Sequence, residues 1–300
     1  MQKISPYIIG AIMLLFLSNI LGASSQKNSE IFYAKFTPIK EEVLDEGGYF
    51  SFSEVTEELR ALFPLAEKIG KNSQELFDLY DIYAMVLSKK ESSSKETIEV
   101  TLKMLNLFKN SPLLSDKKAL YLHYRLSNAY TYEDNYEKAI YHLEQFLKLT
   151  QGDPSLSQSA ILGQREQLGY LYHENEQYQE ALSINLETEK EARENGVLEE
   201  DFSNLYNNIA QNYYELHDFT QVKAYLNKRL ANAQTCEDVD MELDTLFQLA
   251  VLAFEQDEFD TAKELFEKRV AVAKINKLDK YTLEHIQEDL DAFYDKLKKR

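Results

Sequence analysis

The sequence predicts an all-α chain, an α-solenoid of antiparallel helix pairs with a C-terminal capping helix. Three observations carry that expectation. Only 9 glycines and 5 prolines punctuate 300 residues, so long stretches run without a helix breaker. β-branched runs with period-two alternation, the mark of strands, are scarce. One pattern of small, aromatic and aliphatic residues also recurs from origins at Leu126, Leu168, Ile209 and Leu249, spaced 42, 41 and 40 residues apart. Such a recurrence signals a repeat array.

Residues 1–25 read as a secretory signal peptide. Lys3 is followed by no charge until Lys27, and "YIIGAIMLLFLSNILG" is a brief apolar core leading to the small residues Ala23, Ser24 and Ser25. A basic start, a short greasy run and a small-residue exit are what export machinery reads, with cleavage expected before Gln26. An uncleaved anchor is the alternative, although the run is short for a span of roughly 20 residues. The expected location is periplasmic or secreted, with no stable membrane span after signal removal. Residues 26–48 are expected to be a tail with one short helix.

Residues 49–118 read as a helical cap or degenerate repeats. "SFSEVTEELRALFPLAEKIG" is amphipathic, with Ser53 a candidate N-cap. "SQELFDLYDIYAMVLSKK" and "KETIEVTLKMLNLFKN" form a further pair across "ESSS".

Residues 119–276 hold the four copies. From Leu168 the steps meet Gly169, Tyr172, Tyr178 and Ala181; from Leu126 they meet Ser127, Tyr130, Tyr136 and Ala139. From Ile209 they meet Ala210, Tyr213, Phe219 and Val222, and from Leu249, Ala250, Ala253, Phe259 and Ala262. Leu168 and Tyr172 are one turn apart and share a helix face. The small residue beside the origin lets a second helix approach closely. The polar clumps "EDN", "HENEQ", "HD" and "QDE" are turns. Each copy is thus a helix pair that buries its apolar stripe only by stacking on a neighbour. Residues 277–300 carry Leu283, Ile286, Leu290 and Phe293 at helical spacing and are expected to close the last pair.

The four copies resemble the tetratricopeptide repeat over roughly Tyr121 to Ile275, about half the chain. The match lies in Leu-Gly…Tyr…Tyr-x-x-Ala of the second copy and the aligned residues of the others. Two features depart from the family. The period is longer, which implies helices longer by up to a turn. The closing proline is absent, with Gln151, Arg193, Gln234 and Lys274 near its places.

Composition narrows the partner. The formal charge is −18, and removing the leader with its one lysine leaves about −19. So acidic a surface repels nucleic-acid phosphates and anionic lipid. The lone Cys236 reads as a free thiol near a helix end. The histidines His123, His142, His173, His217 and His285 have no metal-ligand spacing. Glu237, Asp238, Asp240, Glu242 and Asp244 lack the glycine and closing glutamate of a calcium loop, and read instead as carboxylates favoured ahead of a helix. No nucleophile elbow, phosphate loop or dinucleotide fingerprint is present. The expectation is a non-enzyme with no cofactor and no metal.

The first helix of each pair should line a concave face, and the stripe beside its packing anchors is the candidate site. The third copy offers Asn204, Asn207, Asn208, Gln211 and Tyr214. The first offers Tyr121, Tyr124, Asn128 and Tyr132 with Arg125. The second offers Gln167, Tyr170 and His173 with Glu166, and the fourth Phe247, Gln248, Val251 and Phe254 with Asp244. Amides both donate and accept, so they suit a peptide backbone of any sequence, and aromatics give flat contact area at low entropic cost. The alternative is that the amides are solvated and the rings pack on a neighbouring helix. Relatives that grip a terminal carboxylate use lysines on this face, which are missing here. The expected function is a peptide- or protein-binding scaffold. An extracytoplasmic sensor or envelope assembly component, an unrecognised hydrolase and an end-to-end self-assembler are the rivals.

Overall fold

A computed structural model of the chain describes residues 6–45, 50–150, 156–197 and 202–299. Among them are thirteen α-helices and a 3-10 turn at Glu91–Ser93, and no strand. The chain divides into two compact units, 1–151 and 152–300.

The first unit holds α1 (Pro6–Leu44), α2 (Phe52–Ile69), α3 (Gln74–Ser88), α4 (Ser94–Phe108), α5 (Asp116–Thr131) and α6 (Tyr136–Leu149), each packed on the next. Residues 26–44 are helical throughout, which corrects the expectation of a tail with one short helix. The reason lies in the sequence: Phe32, Phe36, Ile39 and Val43 recur at spacings of four and three, and α1 buries that stripe against α2 and α3. The cap of α2 is also shifted, with Ser51 rather than Ser53 at its N-cap position. Side chains of residues 1–23, the body of the expected leader, lie outside the described ones. Among the described residues no helix is long and apolar enough to cross a membrane.

The second unit holds α7 (Gln158–Glu174), α8 (Tyr178–Glu194), α9 (Ser203–Glu215), α10 (Phe219–Thr235), α11 (Val239–Glu255), α12 (Phe259–Ile275) and α13 (Lys280–Lys298). Five of these helices are 17 residues long. In folded proteins most helical stability comes from packing of an amphipathic face rather than from propensity, and these helices gain theirs by stacking on their neighbours. α13 lays Ile286, Leu290 and Phe293 into the last core cluster, with Val270 and Phe266 of α12.

All four first helices stop in the same way. Asp134, Glu176, His217 and Asp257 take φ values of 52°, 59°, 61° and 58°. The following N–H reaches back to the carbonyl of Tyr130, Tyr172, Tyr213 or Ala253, at 2.8–2.9 Å. This left-handed corner satisfies carbonyls that the helix end leaves open, and it places the polar clumps read from the sequence at the turns. The small residues that the sequence places at the helix crossings turn inward. Ser127, Ala210 and Ala250 are buried, as are Ala139, Ala181, Val222 and Ala262. In the first copy Ser127 Oγ donates to the Ala139 carbonyl at 2.9 Å.

Candidate functional site

In the second unit the stripes of α9 and α11 meet. Ile209 and Ala210 turn into the core, which leaves Asn204, Gln211 and Tyr214 exposed and Asn207 and Asn208 half-buried. Two bridges join the helices one repeat length apart. Gln248 Nε2 donates to Asn207 Oδ1 at 3.2 Å, and the Tyr214 hydroxyl donates to Glu255 Oε2 at 2.9 Å. That bond to a carboxylate is the first cause holding the Tyr214 hydroxyl above its usual pKa.

Between the bridges lies a hollow of about 180 Å³ whose walls include Ala210, Gln211, Phe247, Val251 and Leu252. A second hollow of about 260 Å³ adjoins it, floored by Phe254, Phe266 and Phe293 and edged by Asp289 and Lys296. Phe247, Val251 and Glu255 line both, so α11 forms their common wall. Phe254 is fixed by ring contacts to Phe259 at 5.6 Å and Phe293 at 5.7 Å. The Arg269 guanidinium stands 4.7 Å over the Phe247 ring.

The remaining candidates divide. On α7, His173 Nδ1 lies 2.8 Å from Asn212 Oδ1, so with its proton there it bonds to a fully buried amide of α9. Gln167 is half-buried and Tyr170 exposed, while burial raises the Glu166 carboxyl pKa. In the first unit, α5 leaves Tyr121, Tyr124 and Tyr132 exposed and Asn128 half-buried. Arg125 is engaged otherwise: its Nη1 donates to Asp81 Oδ1 at 3.0 Å, and Lys118 joins the same carboxylate. Burial works against the Asp81 charge, but these two cations hold its pKa below the usual value.

The acidic run resolves into helix chemistry. Asp238 caps α11 by accepting from the Met241 N–H at 3.0 Å, and Asp244 Oδ2 accepts from Arg229 Nη1 at 2.6 Å. Cys236 is a free, exposed thiol at the C-cap of α10. Among the described residues no group of three or more His, Cys, Asp or Glu side chains is placed to hold a metal.

No family model matches the chain, and no curated protein matches it in sequence. Solved structures do match. The quorum sensor NprR of B. thuringiensis, in its apo form, is 18% identical over 95% of this chain and 78% of its own, with a TM-score of 0.56. A Podosopora anserina chain of nearly identical TPR-like repeats is 16% identical over 67% of this chain and 95% of its own, at 0.52. The fold is that of the tetratricopeptide repeat. RapI, in its apo form, is 14% identical over 94% of this chain and 85% of its own, with a TM-score of 0.56.

Of the stripe read from the sequence, Gln211, Tyr214, Phe247, Gln248 and Phe254 line these hollows, and Asn204, Asn207 and Asn208 line neither. Glu255, Asp289 and Lys296 line them without having been among the sequence candidates. Stepping 40 residues from Tyr214, as the core anchors do, lands on Phe254; the bridging partner is one residue further on. Asp289 and Lys296 belong to α13, which the repeat pattern does not reach.

Proposed function

We propose that the chain is a non-catalytic binding module that takes an extended peptide segment along the α9–α11–α13 face, outside the cytoplasm. One observation carries the reading: two adjoining apolar hollows share the α11 wall, and amides of Gln211 and Gln248 line the first of them. Each hollow is smaller than the roughly 300–1,000 Å³ usual for a small-molecule pocket, a size that suits single side chains, while the amides suit the backbone between them. The match to a quorum sensor favours a sensor as the particular kind of module. Export is supported by the leader pattern of residues 1–25.

A photocrosslinking amino acid in place of Gln211 tests the face. It should capture polypeptide from the native extract, while the same group in place of Asn227, on α10, should not. Equal capture at both positions, or none at Gln211, overturns the reading. Intact mass of the chain recovered from the envelope or medium tests export, with a start at Gln26 expected.

A further inference from the structure

Charge on this face is unevenly met. Of the carboxylates nearby, Asp244 is paired with Arg229 at 2.6 Å and Asp289 with Arg269 at 2.5 Å. Glu255 differs. Its carboxylate accepts the Tyr214 hydroxyl, and no described lysine, arginine or histidine pairs with it. Yet it stands on the wall shared by both hollows, beside Phe247 and Val251. Glu255 is exposed, so a cation can reach it from solvent, and the pair gains from charge-assisted hydrogen bonds. The far edge of the second hollow carries the opposite sign in Lys296, which no described carboxylate pairs.

We propose that the peptide taken by this face carries a lysine or arginine among bulky apolar residues, the cation on Glu255 and one apolar side chain in each hollow. The proposal rests on the reading that the face binds peptide. Phe247, Phe254, Phe266 and Phe293 supply the apolar surface. Glu255 selects for the basic residue, and Lys296 disfavours a second cation at the far end. The net charge of −18 adds a long-range pull on cationic ligands but no position for them; the position comes from Glu255.

The test is selection from a pool of random heptapeptides on the immobilised full chain, with bound peptides sequenced by mass spectrometry. Lysine or arginine beside leucine, isoleucine, methionine or phenylalanine should be enriched. Glu255→Gln keeps an oxygen for the Tyr214 hydroxyl and removes the charge. It should weaken an enriched peptide about tenfold while apolar enrichment persists, and Glu255→Lys should turn the preference to acidic residues. Enrichment without a basic preference, or a basic preference untouched by Glu255→Gln, overturns the proposal and leaves the groove standing. If the parent enriches nothing, or if Phe247→Ala and Glu255→Gln both leave the enriched set unchanged, the peptide-groove reading fails with it.

Discussion

Gly169 and Asn185 fill one space between them: a Cβ added at Gly169 would stand 1.9 Å from Asn185 Oδ1. Asn185 is fully buried, and neither its oxygen nor its nitrogen has a hydrogen-bond partner. The glycine of the second copy is thus the place where α7 admits a side chain of α8.

Gly169→Ala should therefore destabilise the chain by about 1–3 kcal/mol, the usual cost of overpacking a core. Asn185→Ala in the same chain should recover most of that loss, a coupling that a double-mutant cycle in urea would measure. Additive losses would show that the two residues do not compete for space.

The corner at Glu176 makes a gain available. A non-glycine residue at φ 59° carries a steric cost that glycine avoids. Glu176→Gly should raise stability by about 0.5–1 kcal/mol and Glu176→Val should lower it, both read from the midpoint of thermal unfolding.

His123 and His142 face each other in the first unit, with Nδ1 atoms 2.9 Å apart. Burial, then the nearby charges of His123 and Lys138, pushes the His142 imidazole down to about 4, and burial also lowers His123. A folded pKa below the unfolded value of about 6.5 means that the unfolded chain binds more protons between the two. Stability is then full above about 6.5 and falls as pH drops toward 4. Between pH 7 and 5 the loss should be about 1–2 kcal/mol, and His142→Phe should flatten it in a series of urea titrations. A slope unchanged by the substitution would remove His142 as its source.

Arg125→Met should act on stability rather than on ligand capture. It leaves the buried carboxylate of Asp81 with Lys118 alone, at a cost of about 2–4 kcal/mol in urea unfolding. In the parent, Asp81 has a lowered pKa, so its contribution is present above its unfolded pKa and is lost as pH falls through the lower folded one.

Local chemistry was legible in the sequence and cross-helix pairing was not. The clumps at Asp134, Glu176, His217 and Asp257 turn because of residues within a few positions. Gly169 and Ala181 are small, and both are buried. By contrast Arg125 finds Asp81 from 44 residues away, and Tyr214 finds Glu255 across 41. Each arginine or tyrosine in an acidic chain has many such partners within reach, and only the packing chooses one. The stripe of α1 was readable at Phe32, Phe36, Ile39 and Val43, but it lies outside the repeat period that organised the rest.

The wall formed by Phe247, Val251 and Glu255 gives the face no independent halves. A ligand that fills one hollow rests on the same helix that bounds the other, and its second contact is then intramolecular, at the high effective concentration that a short tether sets. Affinity should therefore rise abruptly, not gradually, once a ligand is long enough to reach both sides of α11. A truncation series would show that rise as a single step.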